Sequence, residues 1–222
     1  MAPKAARATP LFVDVLFGIN LRFCSMKAGR PREFDRDEAL DLAMEVFWSK
    51  GYESASISDL LDHMQINRGS LYATFGDKRT LFLQSLQRYR QRLIDCSLDA
   101  LRQNDDPLQR IRETMLSFAD KAEKTDCWGC LLTNAAVELA AHDREMAKAA
   151  HTALEDIRMA FREAITNARA KQQFESGLSD DALSQFLLAQ TQGLIVMAKA
   201  GFSREACRNA VHCAMGALQP AR

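Results

Sequence analysis

The chain has 222 residues, enough for one large domain or two small ones and for a sizeable core. Apolar residues make up 47% and charged residues 26%, which excludes a mainly disordered or collagen-like chain. Basic and acidic residues number 29 each, so the net charge is zero; a nonspecific nucleic-acid coat is excluded, and any binding to nucleic acid must come from local charge.

Residues 11–19 form a short apolar run behind Lys4 and Arg7, somewhat like a secretory signal. Asp14 interrupts the run, and Arg22 follows it instead of a small-residue cleavage site. Met26-Lys27-Ala28-Gly29-Arg30-Pro31-Arg32 makes a natural start, so residues 1–26 read as an extension or tag. Six Cys are too few for a disulfide-dense secreted scaffold. Cys96, Cys130, Cys207 and Cys213 sit in helix-like sequence, which suits reduced thiols and a cytoplasmic protein. No apolar run reaches the ~18 residues of a membrane helix, so no membrane partner is expected.

From Phe34 onward, helix signals follow one another. Asp35 with Glu38 opens a helix that Gly51 stops, with Leu40, Ala43, Met44 and Phe47 on one apolar stripe. Ser56 with Asp59 opens a second, and Ile57, Leu60, Leu61 and Met64 repeat that spacing. A third runs from Arg68 to about Phe75, and a fourth, capped by Asp77, from Lys78 to about Leu101. Asp106-Pro107 opens a fifth reaching about Lys124. A sixth begins near Cys127–Leu131 and ends near His142. Asp143, Ser179 and Ser203 cap the last three, which reach about Gln173, Gly201 and Leu218. Only 5 Pro and 10 Gly leave few breakers for an all-β chain. The expectation is an all-α chain of about nine helices.

Two short helices joined by a tight turn, after a bracing helix, spell helix-turn-helix. The third helix carries Arg68, Ser70, Tyr72 and Thr74 where they can reach outward, and its start would enter the major groove. Lys78 and Arg79 open the fourth helix, where amide groups and the dipole favour a phosphate. Lys27, Arg30 and Arg32 form a basic arm ahead of the first helix.

Gly29-Arg30-Pro31-Arg32, Ala43 through Phe47, Gly51-Tyr52, Ser56 through Leu60, and above all Leu71-Tyr72-Ala73-Thr74-Phe75-Gly76-Asp77-Lys78 resemble the DNA-binding domain of the TetR family of bacterial repressors. The likeness covers roughly residues 29–85, continues weakly in Gly129-Cys130-Leu131-Leu132, and then holds only in helix size and order. It implies a helix-turn-helix DNA-binding domain over 27–77 and a helical effector-binding and dimerisation domain over 78–222. It also implies a dimer formed by the last two helices, a double-stranded operator and a small-molecule effector. The DNA-binding set carried over is Lys27, Arg30, Arg32, Ser56, Arg68, Gly69, Ser70, Tyr72, Thr74 and Lys78. In it, Arg68 and Ser70 face bases or nearby phosphates, and Tyr72 and Lys78 grip phosphates. The sequence departs from the family at Gln65, where the turn typically holds Gly. Either the turn is rearranged there, or a left-handed backbone costs about 1 kcal/mol or more.

For the effector pocket, the reading names Phe118, Trp128, Asn134, Glu138, Met159 and Gln190. Asn134 and Glu138 share a helix face with His142. Helical spacing in the eighth helix marks Leu183, Phe186, Leu187, Gln190, Leu194 and Met197 as a dimer face. Small residues, among them Ala206, Ala210, Cys213, Ala214 and Ala217, give the ninth helix a matching one. Cys127 and Cys130 are a candidate thiol switch. A structural zinc would need about four ligands, so neither a metal nor another cofactor is expected.

The function read from all this is a ligand-responsive repressor that binds a palindromic operator as a dimer. Three alternatives stand beside it: a redox or electrophile sensor acting through Cys127 and Cys130, a thiol oxidoreductase, and a ligand sensor that has lost DNA binding. Against an enzyme stands the lack of a βαβ pattern, of a phosphate-binding Gly loop and of a nucleophile elbow.

Overall fold

The computed structural model describes residues 34–102, 105–122 and 127–218, and every regular element in these stretches is helical. The expected arm residues Lys27, Arg30 and Arg32, and the whole 1–26 extension, lie outside the described residues. Ten α-helices are present among the described residues. The first four are α1 (Arg36–Lys50), α2 (Ile57–Met64), α3 (Arg68–Phe75) and α4 (Lys78–Leu93). A π-turn over Ile94–Leu98 follows, then the one-turn α5 (Asp99–Arg102). After these come α6 (Pro107–Ala119), α7 (Leu131–Leu139), α8 (Arg144–Ala170), α9 (Asp180–Lys199) and α10 (Arg204–Gly216). The run expected as one helix from Lys78 to Leu101 is therefore broken by an i→i+5 turn, closed by the Asp99 amide on the Ile94 carbonyl.

Side-chain caps explain where most helices begin. Asp35, Ser56, Asn67, Asp77, Asp106, Asp143, Ser179 and Ser203 each accept a backbone N–H in the first turn of the helix that follows. The full reciprocal box is made at Ser56 and Asp59.

Residues from Phe34 onward form a single packed unit. In its N-terminal third, Phe47, Leu60, Leu71, Phe75 and Phe82 are buried together, the apolar stripes of α1 to α4 closing on one another. Asp41 of α1 takes Arg88 of α4 at 2.9 Å and also pairs with Arg92, so α4 is bolted to the bracing helix. In the remainder, α8 packs on α7, α6 and α9, and α10 closes over α6 and α9. Ile111, Met115, Leu132, Phe161, Ile165, Leu183, Leu187 and Val211 fill the space between them.

That packing corrects part of the expected dimer face. Leu183, Leu187, Leu194 and Ala214 are buried within their own chain, facing the bundle interior. The outward stripe of α9 is Phe186, Ala189, Gly193 and Val196, with Gln190 and Met197 half-buried at its edges. On α10 the exposed residues include Asn209, Cys213 and Gly216 beside the charged Arg204, Glu205 and Arg208, Ala217 just past its end is exposed too, and Ala206 and Ala210 are half-buried. The expected face of α9 mixes two sides: Leu183, Leu187 and Leu194 belong to the chain's own core, whereas Phe186, Gln190 and Met197 lie on or beside the outward stripe.

Candidate nucleic-acid interface

The turn between α2 and α3 decides whether a helix-turn-helix forms. Gln65 sits in the left-handed region with φ 55° and ψ 39°, the conformation a glycine would take there. Its side-chain amide donates to the Asp62 carbonyl, and Asn67 accepts the Ser70 amide at 2.8 Å to start α3. The turn is not rearranged; the chain tolerates the left-handed residue.

Leu71 and Phe75 anchor α3 in the core, which sends its other faces outward. Arg68, Gly69, Tyr72 and Ala73 are exposed, while Ser70 and Thr74 are half-buried. Tyr72 is 45% exposed despite its large ring. Arg68 has no ion pair among the described residues, where most of the other arginines are paired. Ser56 is committed to its cap: its hydroxyl donates to the Asp59 carboxylate, which also takes Lys50 at 2.6 Å. That lysine and the Ser56 cap hold the Asp59 carboxyl down at about 2.

The two basic residues that open α4 part company. The Lys78 ammonium lies 4.6 Å from the centre of the Tyr52 ring and 3.3 Å from the Glu53 carbonyl, on the same side as the turn that precedes α2. Arg79 turns the other way, to Asp143 at 2.9 Å and Glu145 at 2.6 Å at the start of α8. Its expected phosphate role is thus replaced by a tie to the C-terminal bundle. Arg79 in turn holds the Asp143 carboxyl at about 2.

Among the described residues, the six expected pocket residues have different surroundings. Asn134 donates to the Trp128 carbonyl at 2.9 Å and accepts from Lys199 at 3.0 Å. Glu138 points at the N-terminal third, where its carboxylate accepts the Tyr52 and Glu53 amides at 3.0 and 2.8 Å. Trp128 packs edge-on to Trp48, with ring centres 5.8 Å apart. Phe118 lies under the Lys121 ammonium, Met159 is exposed, and Gln190 is half-buried on α9. A cleft of about 370 Å³ lies between α4 and α8, bounded by Leu83, Leu86 and Arg90 on one side and Lys148, Ala149 and Thr152 on the other. Another, of about 690 Å³, surrounds Arg169 and Phe174 in the turn after α8. None of the six residues lines either cleft.

Cys127 and Cys130 are both free thiols, the first half-buried and the second buried. The Cys130 thiol neighbours the buried Tyr89 hydroxyl, and burial first, then this thiol, pushes the Tyr89 phenol well up. Tyr89 stacks edge-on against Trp48, whose indole N–H donates to the Gly129 carbonyl at 3.1 Å. The Cys127–Cys130 loop is therefore in direct contact with the end of α1. Sequence reasoning missed the roles of Trp48, Glu138 and Arg79, because their partners lie more than sixty residues away along the chain.

The geometry defines a helix-turn-helix DNA-binding protein with a helical C-terminal domain. Comparison with known proteins refines the class. The description "Bacterial regulatory proteins, tetR family" matches residues 39–84, and "Tetracyclin repressor-like, C-terminal domain" matches 107–214. An uncharacterised HTH-type transcriptional regulator of Bacillus subtilis, YezE, is 30% identical over 173 residues, 77% of this chain and 89% of that protein. Among solved structures, a cysteine mutant of the TetR-family regulator CifR in complex with 26-base-pair operator DNA is 31% identical with a TM-score of 0.76. The match covers 86% of this chain and all of that one. The reduced form of Escherichia coli NemR shares the fold, with a TM-score of 0.77 at 19% identity over 84% of this chain and 97% of that one. This chain belongs to the TetR family of bacterial transcriptional regulators, and it is a DNA-binding regulator rather than an enzyme. Among the described residues, no helix is long and apolar enough to cross a membrane.

Proposed function

We propose that the protein is a repressor that binds a palindromic operator as a homodimer in the cytoplasm and leaves it when a small molecule enters the C-terminal domain. The observation that carries this reading is the face of α3, where an exposed tyrosine and an arginine with no ion partner among the described residues stand side by side on a helix anchored from behind. Arg68 reads a base edge, and Tyr72 and Lys78 hold phosphates. Residues 27–77 do this work, and 78–222 sense and dimerise. CifR, bound to operator DNA, and BdcR, named a transcriptional repressor and 33% identical over 106 residues, support the direction.

The dimer is formed by the outward stripes of α9 and α10. Gly193 lies in mid-helix with open space around the position a side chain would take, so the fold itself does not require glycine there. Close approach of a second helix does. Two recognition helices about 34–36 Å apart then meet successive turns of one DNA face. The test is retardation of the upstream DNA of its own gene by the purified protein at moderate salt. Lys78→Ala should flatten the salt dependence by about one unit per protomer. No retardation at any salt would refute the reading.

A second reading, release through thiol chemistry, is favoured by the contact of the Cys127–Cys130 loop with Trp48 and Tyr89. If it holds, peroxide or an electrophile removes the wild type from DNA, while a Cys127→Ser, Cys130→Ser protein stays bound. Wild type that also stays bound refutes it.

A further inference from the structure

Leu71 and Phe75 define the buried direction of α3. At about 100° per residue, Ala73 stands two residues from each of them and so points almost directly away from the core. Gly69 lies four residues before Ala73, on the same line. Both are exposed. Arg68 and Tyr72 flank this line on one side, with the half-buried Ser70 and Thr74 on the other. The most outward ridge of the recognition helix therefore carries a hydrogen atom and a methyl group, with no donor or acceptor.

The space around the glycine is open except at the cap of its own helix. Its backbone is not in the left-handed region, and a Cβ built on it would meet one atom within 4 Å, the Asn67 Oδ1 at 3.3 Å. In an eight-residue helix, glycine lowers stability relative to alanine. A side chain here would press on the capping Asn67 oxygen and would also stand out from the ridge, so glycine both spares the cap and leaves the ridge low enough for close approach by another molecule.

We propose that α3 seats with its Gly69–Ala73 ridge against the floor of the major groove, and that the Ala73 methyl reads the 5-methyl group of a thymine in each half-site. The chemistry selects the base. An alanine side chain has nothing to offer a groove acceptor or donor, and thymine alone presents a methyl group at the major-groove edge. This inference rests on α3 being the groove helix.

The experiment uses the full-length protein and the duplex it enriches from random-sequence DNA. Each dT of a half-site is replaced in turn by deoxyuridine, which lacks only the methyl group. One replacement should weaken wild-type binding about fourfold, and the symmetric pair about fifteenfold, the effect of losing one buried methyl per half-site. Ala73→Gly should weaken binding to the unmodified duplex by a similar factor and abolish the sensitivity to that deoxyuridine. Gly69→Ala should lower affinity about tenfold or more, well beyond any change in melting temperature, because the helix-propensity gain and the crowding of the Asn67 cap oppose each other. Wild type indifferent to every deoxyuridine, an Ala73→Gly protein that keeps the sensitivity, or a Gly69→Ala protein with full affinity would each overturn the proposal. Arg68→Ala and Tyr72→Ala separate the levels. If both leave operator binding intact, the assignment of α3 to the groove has failed; if they weaken it while the deoxyuridines are silent, the inference drawn from Ala73 has failed alone.

Discussion

Gln65 holds a left-handed backbone that costs a residue with a side chain about 1 kcal/mol or more, partly offset by its bond to the Asp62 carbonyl. Gln65→Gly should therefore raise stability by about 0.5–1 kcal/mol, read as a higher urea midpoint with an unchanged slope. A lower midpoint would mean that the side-chain bond outweighs the backbone strain. Three residues further on, Arg68 is exposed at the start of α3, where the proposed function has it read a base edge. Arg68→Ala should relax discrimination at one position per half-site by about 1–3 kcal/mol, with the other positions still read. Competition against single-base operator variants measures this, and an unchanged preference would assign Arg68 to the phosphates.

At the scale of elements, α7 grips the end of α1 and the turn beyond it. The Glu138 carboxylate fills the space beside Gly51, whose φ is 83°, and accepts two successive amides. Glu138→Ala should cost about 1–2 kcal/mol and speed hydrogen exchange at the Tyr52 and Glu53 amides, in the turn after α1, ahead of the amides of α2. Uniform exchange behaviour would show that the grip is weak. The tie between α4 and α8 carries its own pH dependence. Asp143, held at about 2 beside Arg79, has a lower pKa folded than the ~3.9 of an unfolded aspartate. Its contribution is present above about pH 4 and fades as the pH falls towards 2. Asp143→Asn should make the urea midpoint fall less steeply over that window, and an equally steep fall would locate the acid sensitivity in other carboxylates.

For the whole molecule, the test concerns which face of α9 leaves the chain. Phe186 and Val196 are exposed on one stripe, Val196 at 56%, whereas Leu194 is buried. Phe186→Lys with Val196→Lys should give a monomer by sedimentation with unchanged helicity and no stable operator complex, because one head alone holds half the contacts. A lysine at Leu194 would instead bury an unpaired charge and unfold the bundle, so it cannot report on the interface. A double variant that stays dimeric would place the interface elsewhere.

Local signals in the chain were sufficient for most helix starts, but not for the π-turn that breaks the run after Leu93. Capping residues, glycine stops and the spacing of Leu40, Ala43, Met44 and Phe47 act within one or two turns, so the helix starts at Asp35, Ser56, Asn67 and Asp77 follow from neighbours alone. The same locality made the outward face of α3 legible, since Leu71 and Phe75 fix its direction. Partners far apart in sequence were decided only by tertiary packing. Arg79 and Lys78 are adjacent and chemically alike, yet one meets Asp143 and the other Tyr52, because successive helical residues point about 100° apart into different neighbours. Asn134 and Glu138 share a helix face, but the loop before α7 claims one and the turn after α1 the other. On α9 the apolar spacing put inward and outward residues into one expected dimer face, and only the bundle itself determined that Leu183, Leu187 and Leu194 turn inward while Phe186, Gly193 and Val196 turn outward.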